Sequence, residues 1–282
     1  MAFAATLAMK RQSRNTNSVG GPRIPASQTN EANCPTGTSA AEFIPHTTSL
    51  AVLREAVNNC RGCQIYCNAT QGVFGEGPKD ATVMFVGEQP GDQEDKAGKP
   101  FVGPAGAMLN NAMEQAGIPR DEVYVTNAVK HFKWEPRGTR RLHSKPSARE
   151  VAACRPWLVK ELDIIEPEII VCLGATAAQA LLGPAFRVTK QRGQMVTGTK
   201  WASAVTATYH PSALLRIPDE AGRAKAYAEF VDDLKKVARG MKTLVKGKAN
   251  RSHAQVKRAE VPDVHPNLFE NDASHRPSGR HA

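Results

Sequence analysis

The sequence predicts an α/β fold: a single three-layer α/β/α domain around a mostly parallel central sheet, with a disordered tail at each end. Three observations predict it. Two short, largely apolar runs, Ala81–Val86 (ATVMFV) and Glu168–Leu173 (EIIVCL), have strand length and little polar alternation, as strands buried on both faces do. Helical patterns separate the strand candidates, which makes the connections crossovers. The chemically unusual residues fall in segments that follow strands, where the sites of parallel sheets lie.

The elements follow in order. Residues 1–45 are rich in Ser, Thr, Asn, Gly and Pro without a sustained period, and read as disordered. Thr47–Asn58 has a Thr/Ser start and apolar residues at helical spacing, so it predicts a short helix that delivers Cys60 and Cys63 at its end. Ala81–Val86 is the first buried strand. It feeds Gly87–Leu109 (GEQPGDQEDKAGKPFVGPAGAML), a Gly/Pro-rich connection ending in a helix over Pro104–Gly117. A strand, a glycine-rich loop and a helix N-terminus together aim backbone N–H groups at an anion or a base edge. The carboxylates in this loop would repel phosphate, and the spacing is neither G-x-G-x-x-G nor a Walker loop. The loop is therefore read as a place of chemistry as well as binding; a solvated connection is the alternative.

Glu122–Thr126 is a second strand, and 127–146 reads as a long basic loop, a length that in a compact domain points to function. Ser147 with Glu150 three residues on forms a capping box for a helix reaching about Ile165. After the Glu168–Leu173 strand, a helix begins at Gly174–Leu182. Gly193–Val196 and Ala204–Thr208 are further strands, and Ala221–Ala238 is a closing amphipathic helix. From Lys242 the pattern dissolves into a basic tail. The domain is thus expected over 46–240, with tails at 1–45 and 241–282.

The 282 residues carry a net charge of +10, unevenly placed. Residues 235–282 hold 11 Lys/Arg against 4 Asp/Glu, while 46–234 are nearly balanced at 22 against 21. Inside that balanced domain, Lys130–Arg149 holds seven basic residues against Glu135 alone. Such a stretch is either a polyanion contact or a solvated loop. No run reaches the roughly 18 apolar residues of a membrane span. The N-terminus lacks the charged start of a secretory signal, which favours metal or cluster binding over a disulfide framework for the six cysteines.

Cys60-Arg-Gly-Cys63 supplies two thiolates on one turn, Cys154 lies on the helix after the basic loop, and His131 lies just past the second strand. Three thiolates and an imidazole suit a structural zinc or an iron–sulfur cluster, with Cys67 and Cys172 competing for the fourth place. Cys172, mid-strand, reads as core. His143, flanked by Arg140 and Arg141, has its cation disfavoured by neighbouring charge, which favours the nucleophilic neutral form; a phosphate-contacting histidine is the alternative. His210, at a strand end before Pro211, is placed to donate to a developing oxyanion, and Arg216, one turn on, to hold a phosphate. Phe101 is an aromatic in a polar loop, either a stacking platform for a base or a core residue.

Four pieces occur in order: GEQPGDQED…GKPFVGPAG, VTNAVKHF, the RRLH loop with ACRPWL, and HPSALLR. From Cys60 to about Phe230 the chain resembles the uracil-DNA glycosylase superfamily, most closely the UdgX branch beside the iron–sulfur family-four enzymes. The resemblance implies a [4Fe–4S] cluster held by Cys60, Cys63, His131 and Cys154. The usual family-four pattern has a cysteine where His131 stands; the UdgX branch is similar to this chain in having histidine. It also implies that Phe101 stacks on a flipped uracil and that Asn127 reads its Watson–Crick edge. Gly87, Gln89, Asp92 and His210 would line the pocket, and Arg141 and Arg216 would contact the substrate. His143, with Glu88 orienting it or accepting its proton, would capture C1′ of the sugar as a covalent adduct. The loop of that branch commonly begins Lys-Arg-Arg, where this chain has Thr139, and a second serine often stands at Ala213.

Three functions are thereby expected in contrast: uracil excision with covalent capture, conventional multiple-turnover excision with release of abasic DNA, or a non-catalytic metal protein that binds single-stranded DNA. The expected partner is uracil-containing DNA, single strands preferred, for a monomer in the cytoplasm at the nucleoid, with no membrane attachment.

Overall fold

A computed structural model describes Cys34 and residues 37–259, with side-chain placements to residue 243. At its centre lie the strands β1 (Val83–Gly87), β2 (Val123–Asn127), β5 (Ile169–Leu173), β6 (Val196–Thr197) and β7 (Ala204–Thr208). They form a five-stranded sheet of order β2-β1-β5-β7-β6. β1, β2, β5 and β7 are parallel; β6 pairs antiparallel at the edge. This is the mostly parallel α/β architecture that the apolar runs predict.

Alternation along the strands divides the core in two. Val83 and Phe85 face one layer with Val123, Val125, Ile169 and Val171; Met84 and Val86 face the other with Tyr124, Ile170 and Cys172. On the first face lie helices α3 (Pro104–Ala116), α7 (Pro211–Leu215) and α8 (Glu220–Ala259). On the second lie α4 (Ala148–Ile165), α5 (Ala175–Leu182) and α6 (Val188–Gln191). Cys172 is fully buried, and burial pushes its thiol up to about 12, as a core residue requires.

A third cluster joins the N-terminal segment to α4. The short helix α1 (Leu50–Ala56) and the turns after it bring Leu53, Val57 and Cys60 against Phe74, Cys154 and Trp157. Packing onto the domain begins before residue 46. Ala40 is buried, and its N–H donates to the Ala153 carbonyl at 2.8 Å. The segment crosses so close to the C-x-x-C turn that a Cβ on Gly62 would lie 2.6 Å from the Ala40 nitrogen. Of the tail expected over 1–45, residues 1–33, 35 and 36 lie outside the described residues. Cys34 is disulfide-bonded to Cys67, which removes Cys67 from the candidate metal ligands.

Three more elements differ from the sequence reading. The basic stretch is a β-hairpin of β3 (Trp134–Arg137) and β4 (Arg140–His143), not a loop. Its two-residue turn has Gly138 at φ +60°, the left-handed geometry that suits tight hairpins. A short helix, α2 (Asp92–Ala97), interrupts the loop after β1. The closing helix α8 runs to Ala259, past the expected end at 238; Met241 continues the apolar spacing of Phe230, Leu234 and Val237 for one turn beyond that end. Residues 260–282 of the expected tail lie outside the described residues. Among the described residues, no helix is long and apolar enough to cross a membrane.

Candidate active site

The chain leaves β1 toward β2 on one side, and leaves β5 toward β7 on the other. The crevice between the C-terminal ends of β1 and β5 is therefore the topological switch point, where ligands of open α/β sheets bind. A cleft of about 750 Å³ opens there. Glu88, Gln89, Phe101, Asn127, His143, His210 and Arg216 line it, although they come from five separate segments.

Gly87 and Asn127 end β1 and β2 side by side in register. A Cβ on Gly87 would lie 2.3 Å from Asn127 Oδ1 and 2.8 Å from Phe101 Cζ, so glycine is what lets both side chains converge. Asn127 is buried, and its Oδ1 has no hydrogen-bond partner among the described residues. An orphaned buried acceptor is costly, on the order of 1–3 kcal/mol, and suits a site completed by a ligand's N–H. Phe101 sits at φ +56°, a strained setting for a bulky residue. Its carbonyl lies where a Cβ on Gly106 would stand, so the loop closes tightly on α3. The Phe101 ring lies 6.3 Å from the His210 ring at an interplanar angle of 26°.

His210 caps α7: its Nδ1 accepts the Ser212 N–H at 3.2 Å. Burial, with the charges of Arg216 and His143, lowers its pKa to about 4 against the opposing pull of Glu88. A neutral ring that accepts at Nδ1 carries its proton on Nε2, which makes Nε2–H a donor free of the charge of an imidazolium.

His143 ends β4, opposite Trp134. Its Nε2 lies 3.4 Å from Glu88 Oε1. The other Glu88 oxygen accepts from the Thr176 hydroxyl on α5, a partner that no sequence signal points to. Burial alone would raise the Glu88 pKa, but hydrogen bonds from His143 and Thr176 outweigh it and hold the carboxyl below its ordinary range.

Other expected contacts act at one remove. Gln89 turns its amide to the hairpin roots: Nε2 donates to the carbonyls of Lys133 and Ser144, both at 3.1 Å, and Oε1 accepts the Lys133 N–H at 3.2 Å. Arg141 points away from the cleft. Its Nε donates to Asp92 at 2.6 Å and its Nη1 to Asp95 at 2.7 Å, and its guanidinium stacks on Phe132 and Trp134 at 5.4 Å each. Asp92 and Arg141, expected as pocket and substrate contacts, instead clamp the hairpin to α2, because each finds its charge partner in the other. Gly91, in the loop expected to offer N–H groups to the ligand, gives its own to Glu94 at 3.1 Å. Arg216 is exposed at the cleft rim, where its Nη1 donates to Ser212 Oγ at 3.3 Å.

Beneath Asn127 lies a network with no clear sequence signal. Lys130 and Glu161 are both fully buried and 2.5 Å apart. The Lys130 ammonium also donates to the Asn127 carbonyl and Thr126 Oγ1, and Glu161 accepts from the Gly75 N–H, Tyr124 and Thr126. Every charge is hydrogen-bonded, which a buried pair requires. The network fixes the end of β2 from behind.

Of the candidate metal residues, Cys60, Cys63 and Cys154 share the third cluster, and His131 follows β2. Cys60, Cys63 and Cys154 are free thiols in the third cluster and feel one another's charge, and Cys154 Sγ accepts the Lys130 N–H. His131 is buried, and burial depresses its pKa to about 4, which keeps the imidazole neutral as a ligand must be. Among the described residues, no three such side chains close into a coordination sphere. By chemistry, however, three thiols and a neutral imidazole fit a soft metal centre rather than a hard cation.

Comparison with known proteins agrees with this geometry. A family model described as "Uracil DNA glycosylase superfamily" matches residues 74–235. A type-4 uracil-DNA glycosylase of Thermotoga maritima is 40% identical over 170 residues, which are 59% of this chain and 83% of that protein. One of Pyrobaculum aerophilum is 36% identical over 192 residues, 66% of this chain and 91% of that protein. The chain belongs to the uracil-DNA glycosylase superfamily.

Proposed function

We propose that this protein excises uracil from DNA and is then captured covalently at C1′ of the sugar through His143. The observation that carries the base-binding half is the orphaned Asn127 Oδ1 beside Phe101, a buried acceptor suited to the N3–H of uracil. The observation that carries the capture half is an imidazole facing an ionised carboxylate across the same cleft.

The flipped base stacks on Phe101, and Asn127 reads its edge. Heterolysis of the N-glycosidic bond sends the electron pair to uracil N1, and the sugar becomes oxocarbenium-like. The Nε2–H of neutral His210 stabilises the departing uracil anion. A ring nitrogen of His143 then forms a bond to C1′, and the ring becomes an alkylated imidazolium. The Glu88 carboxylate accepts the remaining N–H proton and leaves a neutral N-alkylimidazole. Imidazole bonded to C1′ is then a poor leaving group unless it is protonated again, so the adduct persists. Arg216 at the rim meets a phosphate. Cys60, Cys63, His131 and Cys154 would hold a [4Fe–4S] cluster, which supplies structural cross-linking between the N-terminal segment, the end of β2 and α4. The substrate is uracil-containing DNA, bound preferably as a single strand by a monomeric enzyme of the cytoplasm.

His143→Ser separates the two halves. The account expects the variant to release uracil while forming no heat-stable adduct, measured by base release and by denaturing electrophoresis. Adduct formation unchanged in His143→Ser rejects His143 as the nucleophile. A conventional glycosylase, the alternative reading, would release abasic DNA in molar excess over enzyme.

A further inference from the structure

We infer that Thr176 is a positioning residue for covalent capture: from the first turn of α5 it fixes Glu88 so that the carboxylate's other oxygen faces His143. The inference rests on the capture reading and extends it across the switch point.

Glu88 follows β1, and Thr176 follows β5, the strand beside it. A hydrogen bond between them therefore ties the two chain segments that diverge at the crevice. Thr176 is 8% exposed and its hydroxyl gives Glu88 Oε2 a donor. The carboxylate has two oxygens and two partners, one for each. The Glu88 side chain is 19% exposed and the His143 side chain 45% exposed, its ring 6.2 Å from that of Phe132, so Glu88 is the more deeply held member of the pair. Thr176 stands on a helix whose next residues, Ala177 and Ala178, are completely buried, and it is the rigid end of the chain Thr176–Glu88–His143. Without the hydroxyl, Glu88 is free to rotate toward solvent, and the group that takes the proton from the alkylated imidazolium is no longer held in place.

Thr176→Val keeps the branched shape and removes only the donor; Thr176→Ser keeps the donor. Three quantities are followed with uracil-containing single-stranded DNA: uracil release, the rate of heat-stable adduct formation, and the pH dependence of that rate. In Thr176→Val the adduct rate is expected to fall on the order of tenfold to a hundredfold. Uracil release should stay within about threefold, because it draws on the His210 donor, the Asn127 acceptor and Phe101. The acid limb of the adduct profile should move to higher pH, since a carboxylate that loses a donor titrates higher. Thr176→Ser should restore all three. A Thr176→Val protein with unchanged adduct rate and pH profile overturns the inference. So does parallel loss of release and adduct without a shift of the acid limb, which marks a purely structural role. Unmodified protein that releases uracil but forms no adduct overturns the capture reading itself, and this inference with it.

Discussion

Asn127, His210 and Glu88 each sit in an environment that forces one chemical state. Asn127 is left with an unmatched acceptor because Lys130 takes its backbone carbonyl and Gly87 leaves its side chain room to face the cleft. His210 is held neutral by burial, and its tautomer is set by a backbone N–H that can only donate. These states have a consequence for stability. The His210 pKa is lower folded than unfolded, so between about pH 6.5 and pH 4 the unfolded chain binds more protons. Stability tied to this residue is therefore present at neutral pH and is lost as pH falls through that window, by about 2 kcal/mol between pH 7 and pH 5. His210→Asn retains a cap acceptor and removes the titration. Denaturant unfolding at pH 7 and pH 5 should show a smaller acid loss for the variant than for the unmodified protein; equal losses would contradict a buried, neutral His210.

At the scale of elements, the hairpin β3–β4 is what delivers His143, and it is held from three sides. Gln89 ties its roots, Trp134 Nε1 donates to the Asn68 carbonyl at 2.7 Å, and Arg141 binds Asp92 and Asp95. Arg141→Ala should cost about 1–3 kcal/mol of stability, the worth of hydrogen bonds to charged groups. It should slow adduct formation more than uracil release, because it loosens the hairpin and leaves the Asn127–Phe101 pocket alone. A proportional loss of both would contradict the clamp. This element is also the hardest to read in the sequence. Trp134–Arg137 and Arg140–His143 carry Pro136 and three arginines, which hide strand alternation; only the Arg137-Gly138-Thr139-Arg140 turn signals a hairpin. The buried strands are legible for the opposite reason: burial on both faces leaves continuous apolar runs. α2 is not legible because its residues are mostly charged and its stability comes from Glu94, which bonds back to Gly91 and forward to Gly103.

The whole molecule places its reactive side chains at the end of a sheet whose two faces are packed by separate helix layers. Residue types and their positions after strands single out Phe101, His143, His210 and Arg216 among the residues that line the cleft, whereas Glu88, Gln89 and Asn127 enter through the family resemblance. The sequence does not show which of the polar residues face the cleft and which hold others in place, since that depends on partners distant in the chain: Arg141 with Asp95, Gln89 with Ser144, Glu88 with Thr176. The Lys130–Glu161 pair is invisible for the same reason, and it links the Asn127 end of β2 to α4, which also carries Cys154. Under the proposed function, excision draws on Asn127, Phe101 and His210 and capture on Glu88 and His143, all of which line the same cleft.

The most direct measurement is a denaturing gel of the protein mixed with labelled single-stranded DNA that contains one uracil or, as control, thymine, boiled in detergent before loading. The account predicts a slower, heat-stable band with the uracil strand alone. A uracil strand that shows no such band, yet breaks at the former uracil on alkali treatment, would contradict covalent capture and leave a conventional glycosylase.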